Sequence, residues 1–119
     1  MEHVIGTTAV RIEATGSGGH WTASAVSVDT GDRFGIEWSA SSEADARGGL
    51  IQWLEWQHDH AAALVELQRA QHTYHKAVAD HAFEGESGPG REVQRATLDG
   101  VDAARQRLDA VRQRRPVPA

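Results

Sequence analysis

The sequence predicts an α+β fold, in which an N-terminal three-stranded antiparallel β-meander is followed by a long α-helix and a second α-helix antiparallel to it. Residues 1–40 carry short alternating apolar patterns separated by turn signals, as half-buried strands do. Residues 42–83 contain no proline and place their apolar side chains on one side. Residues 91–115 repeat the helical pattern, so the two helices are expected to form a hairpin within a single domain, 1–119.

The first predicted strand lies within residues 4–14, where Val10, Ile12 and Ala14 share one face. Residues 15–20 (TGSGGH) follow as a turn. A glycine-rich loop binds phosphate when its amides point at the ligand, usually from the start of a helix. A second strand follows here instead, so this segment is interpreted as a hairpin turn.

The second predicted strand covers residues 20–28, and its apolar phase changes after Ala25. This change indicates either a β-bulge or a strand with both faces partly covered. After a turn at residues 29–32, the third strand is expected over residues 33–38. The expected core between the strands and the first turns of the long helix consists of Trp21, Phe34, Ile36, Trp38, Leu50, Trp53 and Leu54.

The long helix is expected over residues 42–83, with a capping pattern formed by Ser42 and Asp45. At 1.5 Å per residue it reaches about 60 Å, which is longer than one domain of this size can cover. Gly48 and Gly49 each weaken its first turns by about 1 kcal/mol relative to alanine. They indicate either a close approach of another backbone or a kink.

One stripe of the long helix is predicted to be an interaction surface. It mixes leucines with glutamine and histidine, and each such polar group costs about 1–3 kcal/mol when it is buried without a hydrogen bond. Mixed seams suit registered helix pairing more than a maximally stable core, so a homodimer or higher oligomer is expected. The predicted stripe consists of Leu50, Trp53, Leu54, Gln57, His60, Leu64, Leu67, Gln71, Tyr74, His75 and Val78.

Residues 84–90 (EGESGPG) are predicted to form the loop that ends the long helix. The second helix is expected over residues 91–115, followed by a tail at residues 116–119. Small residues on its apolar face, Gly100 and Ala104, favour a close approach to the C-terminal half of the long helix.

Charge is unevenly distributed along the chain. Residues 1–90 carry 5 Lys and Arg against 13 Asp and Glu, whereas residues 91–119 carry 7 Arg against 4 acids. The Arg-rich segment is expected to dock on the acidic part of the chain rather than bind nucleic acid, because acids are interspersed in it. An acidic chain also suits a basic protein partner.

Location and compartment are inferred from what the sequence lacks. It has no apolar run of about 18 residues and no signal-peptide pattern, so no membrane partner and a cytoplasmic, bacterial-type location are expected. Cysteine is absent, which excludes disulfides, thiolate metal sites and a cysteine nucleophile.

The histidines of the long helix are the candidate metal ligands. Glu55 and His58 have the Glu-x-x-His spacing of di-iron bundles, but no second copy occurs, so no metal and no cofactor are predicted. His60 and His75 lie about 22 Å apart on one helix, and an antiparallel dimer would bring them together. Because histidine titrates near pH 6.5, such an assembly should weaken in mild acid. The five histidines of this helix are His58, His60, His72, His75 and His81.

Motifs of catalysis are absent from the sequence: it has no nucleophile elbow, no H-E-x-x-H zinc motif and no Walker loop. No enzymatic activity is therefore expected. Trp53 and Trp56, together with Trp21 and Trp38, are interpreted as core side chains, with a platform for stacking a ligand as the alternative.

The run GGHWTASAVSVDTGDRFGIEWSASSEADARGGLIQWLE combines two strands, a turn, a third strand and a Ser-x-Glu-Ala sequence that opens a helix. It resembles HicB-type antitoxin domains, which have a truncated ribonuclease-H-like β-β-β-α core. The resemblance covers residues 8–55 at most. It implies a non-catalytic protein that binds a partner.

The residues predict a non-enzymatic protein–protein interaction and oligomerisation module that associates with itself through the stripe. Two alternatives remain open. An antitoxin-like or immunity-like inhibitor would bind a basic partner protein through its acidic surface. A small-molecule-binding or metal-binding protein would use the histidine- and tryptophan-rich helix, and its melting temperature would rise with ligand.

Overall fold

The computed structural model describes residues 1–84 and 90–117. Four antiparallel strands are followed by two helices, which confirms the predicted α+β class, and the sheet has one strand more than predicted. The strands lie in the sheet in chain order. The elements are β1 (Glu2–Ile5), β2 (Thr8–Ser17), β3 (His20–Ser27), β4 (Trp38–Ala40), α1 (Glu43–Glu84) and α2 (Gly90–Gln113).

The chain divides into two compact units. Unit 1 comprises Met1–His58 together with the residues from Arg115 onward, and unit 2 comprises Asp59–Arg114. Helix α1 supplies residues to both units, so the assignment of the chain to a single domain stays a prediction.

The strand predicted over residues 4–14 is two strands, because the chain reverses at Gly6. This glycine has a φ of 62°, a left-handed conformation that is free of strain only without a Cβ atom. The reversal places Ile5 opposite Thr8 in the β1–β2 ladder. A Cβ at Gly6 would lie 2.4 Å from Cε1 of His58, so the turn also packs closely against α1.

Strand β3 pairs with β2 without interruption along its whole length, so the change of apolar phase after Ala25 is not a bulge. Ala23 and Ala25 are buried, whereas Ser24 and Val26 are half-buried. Both faces of β3 are therefore partly covered. The turn predicted over residues 15–20 is tighter than expected, because β2 and β3 extend into it.

The third predicted strand, residues 33–38, is displaced: β4 begins only at Trp38. Gly35 leaves the extended conformation with a φ of 79° and lies against Leu54, whose Cδ2 would be 2.4 Å from a Cβ at this position. The side chain of Ile36 is 41% exposed rather than part of the core.

The core of unit 1 forms where the first turns of α1 cover one face of the sheet. Trp21 and Phe34 pack against this core from partly buried positions. At its edge, Arg47 donates from Nη1 to the carbonyl oxygen of Ile12 (2.6 Å), which ties α1 to β2. The buried core residues are Ile5, Val10, Ile12, Ala23, Ala25, Trp38, Ala46, Leu50, Trp53 and Leu54.

Helix α1 begins at the predicted cap. The amide of Asp45 donates to Oγ of Ser42 (3.2 Å), and the amide of Ala46 donates to the Ser42 carbonyl (3.0 Å). Ser42→Ala is expected to lower the free energy of unfolding by about 0.5–2 kcal/mol, because it leaves an amide at the helix start without its acceptor. Thermal denaturation measures the change. Ser42→Asp keeps an acceptor and serves as the control, so an equal loss in both variants would contradict the capping role.

Unit 2 is an antiparallel hairpin of α1 and α2. Arg112 contacts His60, and Arg107 pairs with Glu66, so residue numbers rise along one helix as they fall along the other. The expected close approach at Gly100 is wrong, since this residue is exposed and a Cβ there would meet no atom within 4 Å.

Several predictions on the C-terminal part concern residues outside the described ones. The loop predicted at residues 84–90 lies mostly there, as does half of the predicted tail, 116–119. Helix α2 itself ends at Gln113, two residues before the predicted end. Within the described part of the chain, no helix is both long and apolar enough to cross a membrane.

Candidate interaction surfaces

Helix α2 lies over a row of alanines on α1. Ala63, Ala70 and Ala77 recur every seven residues, which is two turns of a helix. Ala63 is buried and the other two are half-buried. A row of small residues suits close packing of two helices, and the larger Leu64 and Leu67 beside it are only half-buried. The residues that α2 buries are Gly90, Val101, Ala104, Leu108 and Val111.

Two contacts distinguish the two flanks of this hairpin. On one flank, Nε of Arg112 donates to Nε2 of His60 (3.4 Å). On the other flank, Arg107 pairs with Glu66. Successive residues of a helix are rotated by about 100°, so each further residue of α1 and α2 can be assigned to one of these two flanks. The His60 flank consists of His60, Leu64, Gln68, Gln71, His75 and Val78 of α1 and Leu98 of α2.

The α1 part of the His60 flank carries no Asp, Glu, Lys or Arg. Between residues 59 and 80, such side chains fall within an arc of about 100° on the other side of the helix. They are Asp59, Glu66, Arg69, Lys76 and Asp80. Depletion of charge is typical of the central part of protein interfaces. On the flank itself, Leu64 and Gln71 are half-buried, and Val78 and Leu98 are exposed.

The structure divides the predicted interaction stripe between core and surface. Leu50, Trp53 and Leu54 are buried in the core of unit 1, and Gln57 is exposed there. The remaining members lie in unit 2. His60, Leu64, Leu67, Gln71 and Tyr74 are half-buried, and His75 and Val78 are exposed. That the uncovered members bind a partner stays a prediction.

Leu98 is the surface residue that the sequence reasoning missed. It lies outside the apolar face of α2 and joins the His60 flank through the pairing of the two helices. The seven-residue spacing of Ala63, Ala70 and Ala77 was the available signal, because it shows which side of α1 receives α2.

The two residues of the Glu-x-x-His pair, Glu55 and His58, contact different residues of unit 1. Oε1 of Glu55 lies 2.9 Å from Nε2 of His3, and the ring of His58 lies against Gly6. Among the described residues, no group of three or more His, Asp or Glu side chains is placed to hold a metal ion. The prediction that the protein works without metal is not tested by this finding.

Two of the four tryptophans, Trp38 and Trp53, line one concave surface of unit 1, and Trp56 lies beside Trp53. The rings of Trp53 and Trp56 are 6.3 Å apart between centroids and are inclined by 50°. A cavity of about 350 Å³ lies beside them, and we call this surface the aromatic groove. Its cavity is lined by Ile36, Trp38, Trp53, Arg115, Pro116 and Val117.

Trp21 lies elsewhere, where its indole N–H donates to the carbonyl oxygen of Gly18 (3.3 Å). Trp38 and Trp53 are buried, as expected of core side chains. Trp56 is half-buried, and its ring faces the guanidinium of Arg115 at 5.5 Å. That the tryptophans form a platform for stacking a ligand stays a prediction.

Comparison of the chain with protein-family models, with curated proteins and with solved structures found no match. The likeness to HicB-type domains therefore rests on the sequence pattern alone.

Proposed function

We propose that this protein is a non-enzymatic interaction module that forms a homodimer through the His60 flank. The observation that carries the proposal is the partly apolar strip of α1 on the His60 flank, which carries no Asp, Glu, Lys or Arg. A pair of helices leaves the line of contact between them exposed to solvent on both sides. Helix bundles cover this line with further helices. A second hairpin placed on the His60 flank would produce a four-helix bundle. A cytoplasmic location is part of the proposal.

The spacing of residues on this flank suits contact between two identical copies. A two-fold interface pairs each patch with itself, so the residues must be complementary about a central point. With Gln71 at that point, antiparallel α1 helices place Leu64 opposite Val78 of the second copy. The two Gln71 amides would donate and accept hydrogen bonds reciprocally. Apolar layers would then flank one polar layer, which fixes the register.

Val78→Glu is expected to convert the dimer to a monomer, because it places a carboxylate in an apolar layer of the interface. Val78 is 39% exposed, so the substitution leaves the core of the hairpin intact. Light scattering after size-exclusion chromatography measures the molar mass. Leu98→Glu should act in the same direction from α2.

The matched control is Val65→Glu on the same helix. Val65 is 43% exposed, and at about 100° per residue it lies about 140° around α1 from Val78. This variant should keep the mass of the wild type. Equal masses for the Val78 and Val65 variants would place any association surface away from the His60 flank.

A second candidate function is inhibition of a basic partner protein, as in antitoxin-like and immunity-like proteins. It is favoured by the charge of residues 1–58, which carry 8 Asp and Glu against 3 Arg. Opposite charge steers association and selects partners. The expected result is a heterocomplex of fixed stoichiometry that survives purification from the host and dissociates as salt is raised.

A further inference from the structure

We infer that the aromatic groove of unit 1 is a docking site for a basic, proline-containing segment of another protein. The chain's own residues 115–117 lie in the groove and act as a tethered competitor. This inference does not depend on dimerisation through the His60 flank, because the groove belongs to unit 1.

The groove is built from rigid elements of unit 1. Trp38 begins strand β4, and Trp53 is held in the core by the first turns of α1. Ile36 forms a further wall, and it lies between Gly35, which has a left-handed conformation, and the start of β4. Large side chains fixed in this way give a preformed concave surface.

The segment in the groove shows which chemistry the groove accepts. The guanidinium of Arg115 lies over the face of Trp56, an arrangement in which the ring quadrupole attracts the cation. Pro116 and Val117 line the cavity next to Trp53. Aromatic-lined grooves recognise proline-containing segments in this way, because proline restricts the free peptide and lowers the entropy lost on binding.

Charge favours a basic ligand over an acidic one. Residues 1–58, which supply Ile36, Trp38 and Trp53 to the groove, carry 8 Asp and Glu against 3 Arg. A peptide with arginine before proline would be attracted to this surface, and an acidic peptide would be repelled.

The tethered segment fills the groove incompletely. Val117 is 80% exposed and Ile36 is 41% exposed, and the cavity between these walls measures about 350 Å³. A few further side chains would therefore fit beside Trp38 and Trp53. A longer ligand would make apolar contacts that residues 115–117 do not make, which is how a free segment can displace a tethered one.

A free peptide must displace residues 115–117, which are covalently attached to the same chain as the groove. A segment on the same chain acts at an effective concentration on the order of millimolar, so a free peptide of the same sequence competes poorly. Weakening the tethered segment should therefore strengthen binding of the free peptide. The affinity of the groove can be measured directly in such a variant.

The test uses the full chain with Arg115→Ala and Pro116→Gly, which remove the cation and the proline from the tethered segment. The probe is an acetylated peptide of sequence Gln-Arg-Arg-Pro-Val, titrated while tryptophan fluorescence is followed. We expect saturable binding at least tenfold tighter in this variant than in the wild type. The matched control peptide, Gln-Glu-Glu-Pro-Val, should not bind.

Adding Trp56→Leu to the variant should abolish the response to the peptide. Should this triple variant fail to fold, Ile36→Ser removes an exposed wall of the groove instead and should weaken binding severalfold. Equal affinity of wild type and variant, or equal binding of the acidic peptide, would overturn the inference. A dimer that the peptide dissociates would also overturn it, since the occupant would then be a second copy.

Discussion

Gly49→Ala is expected to lower the free energy of unfolding by about 1–3 kcal/mol, although alanine is the better helix former. A Cβ at Gly49 would lie 2.1 Å from Nε1 of Trp38 and 2.6 Å from its Cδ1 and Cε2. Trp38 is buried in the core, so its ring cannot move without disturbing the packing of β4 on α1. Urea denaturation measures the loss.

The matched control is Gly48→Ala, one residue earlier in the same helix. A Cβ at Gly48 would meet no atom within 4 Å, so only the gain in helix propensity remains. This variant should be more stable than the wild type by up to about 1 kcal/mol. A gain of stability in both variants would show that the approach of Trp38 to Gly49 is not required by the fold.

Leu54→Ala is expected to lower the free energy of unfolding by about 2–5 kcal/mol, the usual range for deleting a buried leucine and leaving a cavity. Leu54 is 1% exposed, and its Cδ2 packs against the backbone at Gly35. That contact fixes the turn before β4, so the cavity would also loosen a wall of the aromatic groove. Thermal and urea denaturation should both show the loss.

Leu64→Ala is the matched control for Leu54→Ala. Leu64 is half-buried in unit 2, so its truncation removes less apolar contact and should cost about 1 kcal/mol in a monomer. The two leucines belonged to one predicted stripe, and the variants separate their roles. Equal losses at low protein concentration would contradict the assignment of Leu54 to the core and Leu64 to the surface.

The helices were more predictable from the sequence than the sheet. The cap at Ser42 and the apolar periodicity that follows it are local signals, and α1 begins one residue after Ser42. The displaced β4 has a tertiary cause, because Gly35 adopts a left-handed conformation where it meets Leu54. Alternation over Phe34, Ile36 and Trp38 cannot reveal such a contact, since it depends on a residue almost twenty positions away.

The surfaces were only partly predictable for a similar reason. Helical periodicity placed Leu50 and Leu64 on one stripe, but it carries no information on which stretch the sheet covers. Leu98 and the aromatic groove depend on contacts between residues far apart in sequence, such as Arg115 and Trp56. At Gly48 and Gly49 the sequence predicted a close approach of another backbone or a kink, whereas the structure shows the side chain of Trp38 close to Gly49 and no atom close to Gly48.

The central claim, self-association through the His60 flank, is tested most directly by the molar mass in solution. Light scattering over a hundredfold range of concentration at neutral pH should give twice the chain mass of 12.9 kDa, with dissociation at most at the lowest concentrations. A monomer at every concentration would contradict the claim. The His60 flank would then be a surface for a different protein or no interface.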